Sequence, residues 1–363
     1  MNIIFRTDSS YDIGTGHLMR CLTLANYLKS SGHKCSFICR NLPGNIMSQV
    51  KKSNFYLHEL PASAKNNKLN ISKSFSYLDW LGVSQEKDAD ECLSFIKSKK
   101  VDIIIVDHYS LDIDWEKLVK NSNYKIFVID DLANRSHDCN FLLDQSLGRK
   151  ISDYLCLLPS NTKLMCGPKY SLLREEFRIK RKESLQRRSL FRLKKILINL
   201  GGVDKHNITV KVMKALEKSN LPDNFYVCIV AGKKNKNIPN IEKVKNKSRL
   251  IIDLKKQTNK MAKLLLDTDL AIGAAGTTSW ERCCLGVPSI VIPIAENQNQ
   301  IAINLMLSNA SISIVNSEKG YADMVKIINS FLLDSNKLKS LSEISSSIVD
   351  GHGVQRVTNM ILK

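Results

Sequence analysis

Long apolar runs are missing from this chain. None approaches the ~20 residues that a bilayer-spanning helix needs. At the amino end, Arg6, Asp8 and Asp12 interrupt any segment resembling the apolar core of an export signal. The expectation is a cytoplasmic protein with no integral membrane association. Cysteine spacing is uninformative as a framework: ten cysteines occur, but none forms a C-x-x-C pair. Most sit in apolar stretches such as Phe37-Ile38-Cys39, as buried free thiols in a reducing compartment do. Cys283-Cys284 is the one doublet, and burial is expected for it too. No G-x-S-x-G elbow is present, which removes the best-known serine-hydrolase arrangement. Metal-ligand spacing is also lacking. Asp107-His108 and Asp130-Asp131 come nearest to it, and neither a metal nor an organic cofactor is expected.

What is abundant is positive charge. Fifty-four Lys and Arg against 35 Asp and Glu give a net +19, which raises the question of nucleic acid. The lysines are spread along the chain, and no RNA-binding or helix-turn-helix signature accompanies them. A solvated basic surface is expected, with no nucleic-acid partner. A phosphate-bearing small substrate would still benefit from the field. At 363 residues the chain exceeds one typical core and implies two domains.

Short strand-like runs alternate with helix-like segments. Residues 2–6 read as a strand, 8–15 as a turn, and Gly16 onward as a helix. Leu18, Cys21, Leu22, Ala25 and Leu28 fall at helical spacing there, and Gly32 stops it. Strands follow over 35–39, 101–107 and 125–129, with a helix over 89–99. Residues 61–76, rich in Ser, Lys and Asn, are expected to form an exposed loop. The basic stretch 174–195 reads as an exposed helix or linker. The rhythm restarts at 195–200, with a helix over 208–216 and strands over 225–230, 249–252, 270–272 and 289–293. Helices occupy most of 320–363. The expected fold class is α/β: two doubly wound Rossmann-like domains facing across a cleft. The expected division is 1–178, a basic linker over 179–195, and 196–363.

Three turns at strand ends could carry chemistry. Gly14-Thr15-Gly16-His17 opens a helix, but Met19 stands where a dinucleotide fingerprint needs glycine. First-turn amides and the positive helix end favour an anion there. The same end disfavours imidazolium, so His17 is expected to be neutral and able to accept a proton. Gly201-Gly202, followed by Asp204 and Asn207, is either a phosphate-facing turn or an ordinary strand-to-helix turn capped by one of those side chains. Gly273-Ala274-Ala275-Gly276-Thr277-Thr278 combines small residues with hydroxyls that can donate to a diphosphate. Glu281, one turn later, can accept from a ribose diol or can simply stabilise its helix.

Taken together, these stretches are recognisable. They comprise Arg6-x-Asp8-Ser9-Ser10-x-x-Ile13-Gly14-x-Gly16-His17, Trp80-Leu81-Gly82-Val83-Ser84-Gln85, Val106-Asp107-His108-Tyr109 and Asp130-Asp131-Leu132-Ala133-Asn134-Arg135. Leu142-Leu143-Asp144-Gln145, Gly167-Pro168-x-Tyr170-x-Leu172-Leu173-Arg174, Gly201-Gly202-x-Asp204, Trp280-Glu281-Arg282 and Asn297-Gln298 follow in order. The chain resembles the UDP-sugar hydrolases of pseudaminic acid biosynthesis, which act on UDP-2,4-diacetamido-2,4,6-trideoxy-β-L-altropyranose. The second half also looks like the donor domain of the peptidoglycan N-acetylglucosaminyltransferase, a two-Rossmann-domain GT-B-like fold. The resemblance implies hydrolysis with inversion at the anomeric carbon. His17 would activate water, and Gly14, Gly16, Tyr109 and Asn297 would lie against substrate. It also implies a UDP site made of Gly201, Gly202, Gly276, Thr277, Thr278, Glu281 and Gln298. The implied partner is a small UDP-sugar, and the implied enzyme is a monomer needing no metal. A glycosyltransferase using the same donor is the alternative enzyme reading. A non-catalytic, basic polysaccharide-assembly or nucleic-acid-binding protein is the alternative outside enzymes.

Overall fold

Strand β1 (Asn2–Thr7) is buried along nearly its whole length because its side chains feed two layers. Ile3 and Phe5 enter one apolar core and Ile4 the other, as period-2 alternation requires. Next come α1 (Gly16–Ser30), β2 (Lys34–Arg40), α2 (Ser48–Lys52) and β3 (Tyr56–Leu60). The rhythm continues through α3 (Gln85–Ile96), β4 (Ile103–Asp107), α4 (Ile113–Val119) and β5 (Lys125–Ile129). Strands β6 (Phe141–Asp144) and β7 (Lys163–Cys166) complete a seven-stranded sheet of order β3-β2-β1-β4-β5-β6-β7. Every pairing in it is parallel. Ile103 and Ile105 face Leu18, Cys21 and Leu22 of α1, while Ile104 and Val106 face Cys92 of α3 and Trp115 of α4. Cover on both faces is why β4 reads as an unbroken apolar run.

This computed structural model describes residues 1–62, 77–188, 192–233 and 235–362. The loop expected over 61–76 falls, from residue 63, outside the described residues. A second parallel sheet follows α5 (Glu175–Arg187). Its elements are β8 (Lys195–Asn199), α6 (Ile208–Glu217), β9 (Tyr226–Val230), α7 (Ile238–Lys245) and β10 (Ile251–Lys255). Then come α8 (Met261–Leu266), β11 (Leu270–Ala274), α9 (Thr278–Cys284), β12 (Ser289–Ile292), α10 (Asn299–Leu307) and β13 (Ile312–Ser313). The strand order is β10-β9-β8-β11-β12-β13. Helices α11 (Glu318–Leu333), α12 (Asn336–Ile348) and α13 (Gly353–Ile361) end the chain. Both halves are thus doubly wound, Rossmann-like units, as their alternating pattern implies.

The expected domain bounds need correction at two points. One compact unit contains Met1–Leu172 and Gly353–Lys363, and the other contains Leu173–His352. Helix α13 therefore returns to the first unit. Val354, Val357 and Ile361 fall on one helical face and enter the same core as Leu18 and Leu22 of α1. Gly353 starts that return. A Cβ there would lie 2.2 Å from the Ser171 carbonyl oxygen, so only glycine permits the approach. The basic stretch is the second correction: it is mostly α5, packed into unit 2, and not a free linker. Phe177 is fully buried. Arg181 donates to the carbonyls of Cys284, Val349 (2.9 Å) and Ser346 (2.8 Å). Arg188 donates to those of Gly286, Leu265 and Thr268, each at 2.9 Å. These carbonyls lie at or just past the C-terminal ends of α8, α9 and α12, where cations complement the helix dipole. Arg181 and Arg188 of the basic stretch are thus internal capping groups.

Candidate active site

The order of the first sheet reverses between β1 and β4, and ligands of open α/β sheets bind outside the strand carboxyl ends at such a point. The loop after β1 is drawn tight. Ser10 and Gly14 exchange backbone hydrogen bonds of 3.3 and 3.0 Å, and the Ser10 hydroxyl accepts from the amides of Asp12 and Ile13. Gly14 has φ of 78°, a left-handed conformation that suits glycine. This turn delivers His17 to the first turn of α1, which contains no acidic residue and no side-chain cap.

His17 does not stand alone. Its Nδ1 lies 2.6 Å from Oδ1 of Asp107, the last residue of β4, and Asp107 is fully buried. An ionised carboxylate only accepts, so Nδ1 carries a proton, and in the neutral ring Nε2 has the lone pair. Nε2 has no hydrogen-bond partner among the described residues. Arg20, one helical turn after His17, grips the same carboxylate through Nε (2.6 Å) and Nη2 (2.7 Å). Burial works to raise Asp107, but Arg20 and then His17 outweigh it and hold the carboxyl well below its ordinary range. The Asp-His pair, with a lone pair at the far nitrogen, is an arrangement suited to taking a proton from water or a hydroxyl. The sequence reading assigned His17 to the helix end alone. Its buried carboxylate partner was named only within a motif and, with His108, as a near miss for metal-ligand spacing.

Tyr109 lies beside His17, ring edge to ring face, with centroids 4.5 Å apart. Its hydroxyl donates to Asp131 Oδ2 at 3.1 Å, and the residue is 5% exposed. That bond uses its only donor hydrogen, so Tyr109 offers a ring wall and not a proton. Burial first, and then Asp131, push its phenol well above the usual value. Trp80 stacks on Tyr109 at 5.7 Å, and Tyr77 meets both rings edge-on. Neither Trp80, as a wall, nor Arg20 was singled out from sequence, and Asp131 was named only beside Asp130 as a near miss for metal-ligand spacing and within a motif. Trp80 and Asp131 stood in local motifs, Arg20 in none, and nothing local placed the three together.

In the second sheet, order reverses between β8 and β11. Both expected turns sit there, but they differ. After β8, Gly201 has φ of 82°, and Asp204 accepts from the amides of Ile208 (2.7 Å) and Thr209 (3.0 Å). Of the two readings left open, the structure contains the carboxylate cap: those amides of α6 are already occupied. After β11, the Gly273–Thr278 turn is held from below by Arg282. Its guanidinium donates to Ala274 O (2.8 Å), Thr278 Oγ1 (3.2 Å) and Ser279 Oγ (3.0 Å). Gly273 makes room, since a Cβ there would lie 2.5 Å from Arg282 Nη1. Gln298 Oε1 accepts from Ala275 N and Ile294 N, tying this turn to the loop that contains Asn297. Because Thr278 Oγ1 accepts from Arg282, its own hydrogen remains available to an oxyanion. Glu281 lies 3.6 Å from Arg174, and burial lifts its carboxyl to about 7 despite Arg174 and Arg282.

Among the described residues no cluster of three or more His, Cys, Asp or Glu could hold a metal ion. No described helix is long and apolar enough to cross a membrane. Cys283 and Cys284 are buried, and burial pushes their thiols up to about 12 and about 11. As expected, they are not the reactive thiolates of a nucleophilic site.

Comparison with known proteins bears on the fold and on the kind of substrate its relatives handle. The glycosyltransferase family 28 C-terminal domain matches residues 196–353. UDP-2,4-diacetamido-2,4,6-trideoxy-beta-L-altropyranose hydrolase of Campylobacter jejuni is 28% identical over 306 residues, covering 83% of this chain and 95% of that protein. Spore coat polysaccharide biosynthesis protein SpsG of Bacillus subtilis is 24% identical, covering 99% of this chain and 98% of that one. Among solved structures, MurG of Acinetobacter baumannii aligns over 99% of both chains with a TM-score of 0.68 and 15% identity, which is a likeness of fold. Two parallel-sheet units, a family 28 C-terminal domain in the second half and these likenesses lead to one conclusion: the chain has a GT-B-like fold and is similar over most of its length to the UDP-2,4-diacetamido-2,4,6-trideoxy-beta-L-altropyranose hydrolase of Campylobacter jejuni.

Proposed function

We propose that the protein hydrolyses UDP-2,4-diacetamido-2,4,6-trideoxy-β-L-altropyranose to UDP and the free sugar. The observation that carries this reading is the buried His17–Asp107 pair with Nε2 left unpartnered. In the proposed reaction, Nε2 takes a proton from water as the water oxygen bonds to the anomeric carbon. The bond from that carbon to the diphosphate oxygen breaks, its electron pair leaves with UDP, and the configuration inverts. UDP is a stable leaving group, so fixed amides and hydroxyls around the diphosphate matter more than an acid. Gly276, Thr277 and Thr278 take that part, with Gln298 bracing their turn and Gly201 and Gly202, in the turn after β8, contributing beside it. Glu281 accepts from the ribose diol, Asn297 meets the sugar diphosphate, and Gly14 and Gly16 leave room at the sugar. Tyr109 forms the wall beside His17. No metal or organic cofactor takes part in this scheme.

The fold shared with glycosyltransferases supports a second reading, in which an acceptor hydroxyl replaces water at the same base. Incubation with the UDP-sugar alone in ¹⁸O-water separates the two. Hydrolysis predicts UDP release without acceptor and label on the sugar; label on phosphate, or strict acceptor dependence, overturns it. His17→Ala should lower turnover by at least ~10²-fold with UDP affinity largely kept, and unchanged turnover would remove His17 from the mechanism.

A further inference from the structure

Five side chains from α1 and from the ends of β4 and β5 form a closed circuit. His17 meets Asp107, Arg20 grips Asp107 twice and also Asp131, Asp131 accepts from Tyr109, and the Tyr109 ring returns to His17. We propose that Arg20 is a positioning residue of the reaction. It clamps Asp107 and Asp131 into one frame, fixes His17 in its Nδ1–H form, and offsets the Asp107 charge so that Nε2 remains a proton acceptor. This inference rests on the reading of His17 as general base.

The argument begins with the geometry of the fork. Arg20 is 5% exposed and uses Nε and Nη2 on one carboxylate and Nη1 on a second. A planar guanidinium can span both, whereas an ammonium is a point charge that cannot. Burial works against the cation, yet Asp107 and Asp131 more than offset it, and Arg20 is held above its usual range. The charges facing His17 can be enumerated. On α1 these are Arg20 and Cys21, from β4 Asp107, from the segment after it Tyr109 and His108, which burial holds below its usual value and so uncharged, and from the segment after β5 Asp131. The Cys21 thiol lies 3.5 Å from Asp107 Oδ2 and is kept protonated by burial and by Asp107. Tyr109 is likewise neutral. Three charged groups remain, two carboxylates and one guanidinium. Removing Arg20 would leave two buried or nearly buried anions beside an imidazole. The imidazole would then hold a second proton more tightly, and protonated His17 cannot accept one from water. The same loss would free Asp131, and with it the Tyr109 ring that walls His17.

The test uses the full-length protein with ¹⁵N-labelled histidine and the variants Arg20→Met, Arg20→Lys and Asp131→Asn. In the wild type, the His17 signals should report Nδ1–H and an unprotonated Nε2. Arg20→Met should lower kcat roughly 10- to 100-fold, the range typical of groups that orient a primary ligand. KM should change little, the acid limb of kcat/KM should move to higher pH, and Arg20→Lys should not restore it. A folded Arg20→Met protein with wild-type His17 signals and an unmoved acid limb would overturn the proposal. If that variant does not fold, Asp131→Asn serves, since Asp131 is a partner of Arg20 with a 15% exposed side chain. Unaltered His17 signals in that variant would overturn it equally. Should His17→Ala retain full turnover, the base reading fails, whereas the NMR measurement still reports independently whether Arg20 controls the imidazole.

Discussion

The two strand-end sites handle buried positive charge in opposite ways. In the first unit, buried arginines meet carboxylates. Arg6 bonds to Asp8 and Asp88, Arg20 to Asp107 and Asp131, and Arg40 to Asp88 and Glu91. In the second unit, Arg188 and Arg282 are 4% exposed, yet their hydrogen bonds go to carbonyls and hydroxyls, with no ion pair among the described residues. Burial accordingly lowers each of those two to about 10. Desolvating a cation without a counter-charge is unfavourable, so the two designs suit different tasks. A closed charge circuit holds one imidazole in one orientation. A turn of small residues over an unneutralised guanidinium retains a positive potential, which suits the diphosphate proposed there. The helix ends differ too: α1 starts with no carboxylate cap, whereas the first amides of α6 are taken by Asp204.

This contrast can be broken at its strongest point by Asp107→Asn. An amide can hold His17 in the wrong tautomer, and kcat should fall on the order of 10³- to 10⁴-fold, with UDP binding preserved. A loss under ten-fold in steady-state assays would mean that the circuit is structural only. The second unit is tested by pH. Glu281 rises from 4.5 to about 7 on folding, so the folded state binds its proton more tightly than the unfolded state. The associated stability is fully present below pH ~4.5 and is lost as pH rises through ~7, amounting to no more than roughly 3 kcal/mol. Thermal unfolding of the ligand-free protein between pH 5 and 8 should show this decline, and Glu281→Gln should flatten it; identical slopes would refute the shift. The smallest expected effect is at Arg282. Replacement by Met should weaken UDP binding roughly ten-fold relative to uridine, as for one charge-assisted group, and Arg282→Lys should retain part of it. Equal losses for UDP and uridine in calorimetry would assign Arg282 to the fold alone.

Much of this was legible in the chain itself. The apolar runs of β1, β4, β8, β11 and β12 and the helical spacing of α1 are local patterns, and each element lies where its period points. Strands β6 and β7 were not legible, being four residues each and lacking a long apolar run. The basic stretch misled for a related reason. Its arginines look solvated by composition, but their partners are carbonyls at helix ends about 77 to 168 positions further along the chain. Helix α13 misled because amphipathic spacing shows that a face is buried but not which sheet it covers.

At the site the same limit applies. Gly14, Gly16 and His17 are recognisable because a strand, a glycine turn and a helix start are consecutive in sequence. By itself the sequence determined two α/β halves, the strand-end turns and the residue types offered there. Only the tertiary structure decided that Asp107 and Asp131, 87 and 111 positions from Arg20, share its guanidinium. That pairing follows from β1, β4 and β5 being neighbours in the sheet, and strand order depends on long-range packing that no local period encodes.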